Sequence, residues 1–207
     1  MEQPGNFGLR LLLLALITGV NAFFACAEIA LLSVRRPRLQ QLAAEGNIGA
    51  QAALSLLSNT ERLLSVVQAG ISLTSLAMGV AGEETINMWL QSVFVPLAPP
   101  EFREAVQWTC LALSFIVLTL VLVIIGEVVP KNIGIVASER ISIVAAPVLL
   151  IVFRVLTPLV VLIERGSSLV SRIIGLPNHA AHGAHSTEEI RHIVESSTTS
   201  GSLTKFE

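Results

Sequence analysis

Charge is in short supply in this sequence. Of 207 residues, only 14% are Asp, Glu, Lys or Arg, against about 25% in a soluble domain. Apolar residues reach 53%, and the mean hydropathy is +0.74. That balance excludes a soluble monomer and a disordered chain. Basic residues are not in excess either: the net charge is −2, which leaves no general field for nucleic acid. Cysteine is limited to Cys26 and Cys110. Both lie in apolar runs, so a disulfide scaffold is excluded and both read as packed side chains. Histidine is missing from the apolar runs, and repeats and low-complexity tracts are absent.

What is present is apolar sequence in blocks. Leu11–Val34 carries a single charge, Glu28. Its length exceeds the ~20 residues a helix needs to cross ~30 Å of hydrocarbon. A polar, amphipathic stretch, Arg35–Arg62, follows. Leu63–Gly82 and Ala105–Ile125 are uncharged and flank a Pro-containing acidic loop, Glu83–Glu104. The last block, Ile141–Ile163, contains Pro147, Arg154 and Pro158. None of the blocks alternates as the strands of a membrane barrel do, so they are helices that satisfy their own backbone in lipid. The expected class is therefore all-α: three transmembrane helices plus a broken juxtamembrane helix. The fourth block is long enough to span, which would send the tail outside; it is placed at the cytoplasmic face because a central arginine costs about 2.5–3.5 kcal/mol to insert. Its flanks, Lys131 and Arg140 before and Arg165 and Arg172 after, are also basic.

Arg35, Arg36, Arg38 and Arg62 put the 35–62 stretch in the cytoplasm, and the acidic 83–104 loop outside. The N-terminus is then outside and the C-terminus cytoplasmic. Phe24-Ala25-Cys26 resembles the end of a lipoprotein signal. The apolar run continues past it to Leu32 and then meets Arg35-Arg36, as an uncleaved span does. Residues 1–177 are read as the membrane domain with its juxtamembrane helix. Residues 178–187 form a linker with His179, His182 and His185, and 188–207 the start of a cytosolic regulatory region that continues beyond this chain. Ser186 and Glu189 match a capping box there.

Two carboxylates stand at membrane depth. Glu28 lies seven residues before Arg35, about 10 Å into the first span. Glu127 lies four residues before Lys131 at the end of the third. Intramembrane acids carry a functional reading by default. Held close in a low dielectric they repel, so either one is protonated or a cation lies between them. On the second span, Gln68, Ser72 and Ser75 share a face, and Gly70 permits close approach. The hydroxyls of Ser65 and Thr74 read equally well as bonded to their own helix. Pro130 cannot donate to the carbonyl of Gly126, which frees that oxygen for another partner. Every candidate donor is oxygen, which points to a hard cation: Mg²⁺, Ca²⁺, Mn²⁺ or Na⁺. The metal set is Glu28, Ser72, Ser75, Gly126 and Glu127. Asn21, Ala25 (through its carbonyl), Gln68, Gly70, Pro130 and Lys131 are assigned to the pathway or to supporting contacts. A paired histidine or nucleophile is missing from the spans, which argues against an enzyme. The competing reading is a membrane-anchored structural or regulatory protein whose buried polar residues only hold helices together.

Three segments carry a family resemblance. Asn21-Ala22-Phe23-Phe24-Ala25-Cys26-Ala27-Glu28-Ile29-Ala30-Leu31-Leu32, Gln68-Ala69-Gly70-Ile71-Ser72-Leu73 and Gly126-Glu127-Val128-Val129-Pro130-Lys131 resemble the first-, second- and third-helix motifs of the CorC/CNNM magnesium transporters. The resemblance implies a homodimeric domain in the bacterial inner membrane that moves Mg²⁺, as a Na⁺-linked exporter. It implies an adenine-nucleotide-binding pair of CBS modules in the cytosolic region outside this chain. Bacterial relatives commonly have Ser where this chain has Ala25, so that hydroxyl is lost.

Overall fold

The computed structural model describes residues 4–174. The linker and the regulatory helix expected over 178–207 lie outside them. By its contacts the chain divides into Met1–Val160 and Val161–Glu207. Every element among the described residues is helical, in the order α1 Pro4–Ser33, α2 Arg36–Ala44, α3 Ile48–Leu57, α4 Thr60–Phe94, α5 Arg103–Val123, α6 Val129–Val136 and α7 Ser138–Ile173. Two short 3₁₀ turns, Val95–Leu97 and Pro100–Phe102, join α4 to α5. A π-turn, Ile124–Val128, joins α5 to α6. Four stretches are long and apolar enough to cross a membrane: Phe7–Ser33, Thr60–Leu97, Pro100–Val136 and Ser138–Pro158. They leave most of their apolar side chains exposed, including Leu12, Leu16, Leu76, Val80 and Ile151. An outward-facing apolar surface of this kind belongs in lipid.

The polar stretch between the first two spans folds as two short helices, each with a visible stop or start. Gly46, with φ +90°, ends α2 in the left-handed region that glycine tolerates. Asn47 caps α3 by accepting from the Ala50 amide at 3.0 Å, and Asn59 caps α4 from the Arg62 amide at 3.0 Å. Leu39 of α2 and Ala53 and Leu56 of α3 pack into one apolar cluster with Leu31 of α1, Leu63 of α4 and Leu149 of α7. A smaller cluster, Leu14, Met78 and Leu118, joins α1, α4 and α5.

Two boundaries differ from the sequence reading. The second span does not stop at Gly82, because α4 continues to Phe94 through most of the expected 83–104 loop. Nothing in Glu83–Phe94 breaks a helix, and Asn87 donates to Glu83 and Gln91 to Asn87 along one face. The first breaker is Pro96. The fourth block is likewise continuous, with Pro147 and Pro158 inside α7. Pro147 withholds a donor from the Ile143 carbonyl, and Gly49 of α3 lies directly against that oxygen. The two prolines are therefore local losses of hydrogen bonds within one helix rather than ends of it.

Gly134 of α6 is a second point of close approach. A Cβ there would lie 2.6 Å from the Cys26 carbonyl oxygen of α1. Only glycine lets the two backbones meet at that distance. This contact sets α6, and the π-turn before it, against the middle of α1.

Candidate functional site

α1 is the helix against which α4, the π-turn and α6 all pack. At their meeting point lies Asn21, 1% exposed. Its Nδ2 donates to the Gly126 carbonyl at 3.0 Å. Its Oδ1 lies 2.5 Å from the Thr74 hydroxyl. An amide oxygen can only accept, so the single Thr74 proton is directed there, although the Gly70 carbonyl is 2.9 Å away. One buried side chain thus ties α1 to α4 and to the π-turn. The turn exists because Pro130 has no amide proton and the helix takes a wider bond instead, from the Val129 amide to the Ile124 carbonyl. The expectation that the Gly126 carbonyl is released from its own helix agrees with this geometry. Its partner here is Asn21.

The next residue in the turn is Glu127. Its Oε1 accepts from Lys131 Nζ at 2.6 Å, a pair whose side chains are 41% and 31% exposed respectively. Lys131 therefore serves as an internal cation for the acid. Pro130 is buried beside it. Glu28, two turns further along α1 than Asn21, is half-buried. It makes no hydrogen bond or ion pair among the described residues.

The remaining predicted residues are dispersed. Gln68 and Ser72 are exposed on α4 and Ser75 is half-buried; none of the three has a hydrogen-bond partner among the described residues. Ala25 is fully buried in the larger apolar cluster. Gly70 admits the ring of Phe24, whose atoms would lie 2.8 Å from an added Cβ, rather than another backbone. No hydrogen bond or ion pair connects Glu28, Ser72 or Ser75 to Glu127 among the described residues. No cluster of three or more His, Cys, Asp or Glu side chains that could hold a metal occurs among them. The arrangement instead joins a buried amide tie, a widened turn with a carboxylate, and an open carboxylate on the adjoining helix. Thr74 is the participant that the sequence reading left undecided. The available signal was its location on a span otherwise uncharged, four residues from Gly70.

Residues 11–207 match the family model of the cyclin M transmembrane N-terminal domain, CNNM. The chain is 33% identical over 96% of its length to UPF0053 protein YhdP of Bacillus subtilis, covering 44% of that protein. It is 32% identical over 95% of its length to UPF0053 protein YhdT of the same organism, covering 42%. It is 29% identical over 95% of its length to the polyamine export protein of Escherichia coli, covering 43%. The chain spans less than half the length of these relatives. With four apolar helices long enough to cross a bilayer and a family match along nearly its whole length, this multi-pass membrane chain belongs to the CNNM family.

Proposed function

We propose that the chain is the membrane-embedded part of a cation exporter whose cargo is Mg²⁺, with Na⁺ as the coupled ion. The observation that supports this most directly is the ion pair of Glu127 with Lys131 inside a π-turn whose Gly126 carbonyl is held by buried Asn21. Each oxygen already has a donor, the Lys131 ammonium on Glu127 and the neutral Asn21 amide on Gly126, and both donors are side chains that can rotate away. A divalent ion entering the bundle would take the place of the Lys131 ammonium on Glu127 and of the Asn21 amide on Gly126. Glu28 and the hydroxyls of Ser72 and Ser75 would add oxygens once a second state brings them closer. Release follows when Lys131 returns, so the lysine acts as a tethered competitor. Metal charge compensated by carboxylate and carbonyl oxygen fits a hard ion.

The exposed, unpartnered Gln68 and Ser72 support a homodimer, because polar side chains on a spanning helix are better placed against protein than against lipid. The concentration of arginine in 35–62 supports a cytoplasmic position for α2 and α3, with the N-terminus outside the cell membrane. Exposed Arg154 and basic flanks favour α7 lying along the cytoplasmic face. Adenine nucleotide would act only through the cytosolic region outside this chain.

A second reading has one observation in its favour, the similarity to the polyamine export protein of Escherichia coli. An organic polycation would meet the same two carboxylates. Isothermal titration separates the readings. With MgCl₂, the wild-type chain is expected to give saturable heat that Glu127→Ala abolishes. Saturable heat with spermidine and none with Mg²⁺ would replace the metal by a polyamine, and no heat with either would leave a membrane anchor.

A further inference from the structure

The arginines between the first two spans do not all do the same thing. Arg36 donates to the Leu57 carbonyl at 3.2 Å, and so helps to hold α2 on α3. Arg38 pairs with Glu139 at 3.2 Å, which joins α2 to the first turn of α7. Arg35 and Arg140 are exposed, and their guanidinium groups make no hydrogen bond or ion pair among the described residues. Both line one cleft of about 850 Å³, together with Ser33, Ser138, Val136 and Val144. With Arg38 and Glu139 neutralising each other, the cleft holds two uncompensated guanidinium groups. Ser138 and Glu139 also place the N-terminal turn of a 36-residue helix in its wall, which adds a partial positive charge.

The same cleft has an apolar side. Val136 is 88% exposed and Val144 69% exposed, and Ile143 lies beside them. Branched aliphatic side chains this open beside two bare cations do not suit a small inorganic anion, which makes no use of them. They suit an amphiphile with its anionic end on the guanidiniums and its hydrocarbon along the valines. The cleft lies where α1 ends and α7 begins, at the rim of the apolar blocks, and the end of a membrane-spanning apolar block falls at headgroup level. Its volume falls in the range of built ligand sites. Guanidinium is the side chain that best matches phosphate geometry.

We propose that this cleft binds the headgroup of an anionic phospholipid, with Arg35 and Arg140 on the phosphate and Val136 and Val144 against the acyl chains. The site is separate from the Asn21–Glu127 region and does not depend on the identity of the cargo. It would fix the start of α7 to the leaflet surface.

The test is native mass spectrometry of the detergent-solubilised chain, titrated with phosphatidylglycerol and, in parallel, with phosphatidylcholine. Each basic residue near an anionic surface contributes about fivefold. The double variant Arg35→Ala/Arg140→Ala is therefore expected to retain phosphatidylglycerol about 25-fold more weakly. Arg35→Lys/Arg140→Lys should keep most of the binding, which guards against a folding defect in the alanine variant. Arg103→Ala, which removes a cation from the start of α5, should bind as wild type. The proposal is overturned if the double alanine variant binds as wild type, or if Arg103→Ala loses as much. It is also overturned if phosphatidylcholine binds as well as phosphatidylglycerol, or if inorganic phosphate at equal concentration displaces the lipid.

Discussion

Asn21 uses both ends of its amide inside the bundle, one on the Gly126 carbonyl and one on Thr74. Asn21→Ala leaves the Gly126 oxygen without its donor, while Thr74 can fall back on the Gly70 carbonyl at 2.9 Å. One orphaned group costs about 1–3 kcal/mol in a buried setting, and polar contacts between membrane helices measure at the lower end. A loss of about 1 kcal/mol is expected in detergent-induced unfolding. Thr74→Val should cost a similar amount, and the double variant less than the sum, because the two residues share one bond. Strict additivity would show that the tie is not formed. Lys131 is a different case, since its pair with Glu127 is partly exposed and worth at most about 1 kcal/mol. If the ammonium competes with the cargo, Lys131→Gln should tighten Mg²⁺ binding about fivefold by titration. Weaker binding in that variant would contradict the competitor role. At this scale the sequence was most informative about charge. Glu28, Glu127 and Lys131 stand out from apolar surroundings, and the loss of a donor at Pro130 could be deduced from its chemistry. Thr74 could not be assigned, because a helical threonine has a backbone acceptor in reach at all times and only the neighbouring helix decides.

The helices themselves were legible where composition changes sharply and less so where it does not. α5 begins and ends within two residues of its apolar block, and α1 ends within one residue of its own but starts seven residues before it. α4 outruns its block by twelve residues, since Glu83–Phe94 is polar yet fully compatible with a helix. α7 passes through two prolines because a single missing bond at each costs less than ending the helix and freeing the backbone groups of two new termini. The contact that positions the π-turn is Gly134 against the α1 backbone at Cys26, a feature that needs three dimensions to see. Gly134→Ala forces these backbones apart and is expected to destabilise the chain by about 1–3 kcal/mol. Gly79 of α4 has no neighbour within 4 Å, so Gly79→Ala should be neutral or stabilising by up to about 1 kcal/mol. Thermal unfolding in detergent distinguishes the two. Equal behaviour would mean that the α1–α6 approach is not as close as described. The space beside Gly70 and Gly82 is already filled by Phe24 and Leu118 of the same chain. Of the three glycines of α4, Gly79 is the one left open to a contact from outside.

For the whole molecule, the class and the family were readable from hydropathy blocks and three short motifs. Which residues of different spans converge was not, because helix rotation about its own axis is set by packing. Hence Asn21 and the Gly126 carbonyl meet, while Ser72 faces outward. Orientation can be checked independently of cargo. After Cys26 and Cys110 are replaced, a membrane-impermeant maleimide applied to intact cells should label Arg103→Cys and leave Arg36→Cys unlabelled; the reverse would invert the topology. The central claim, that Glu127 carries a cation across the bilayer, is met most directly by flux. The chain is reconstituted into vesicles that hold NaCl and a magnesium-sensitive dye, placed in Na⁺-free medium under an imposed inward Mg²⁺ gradient. We expect a dye signal with wild type and none above empty vesicles with Glu127→Gln at equal incorporation. Equal flux in the two proteins, or none in either, would contradict the account.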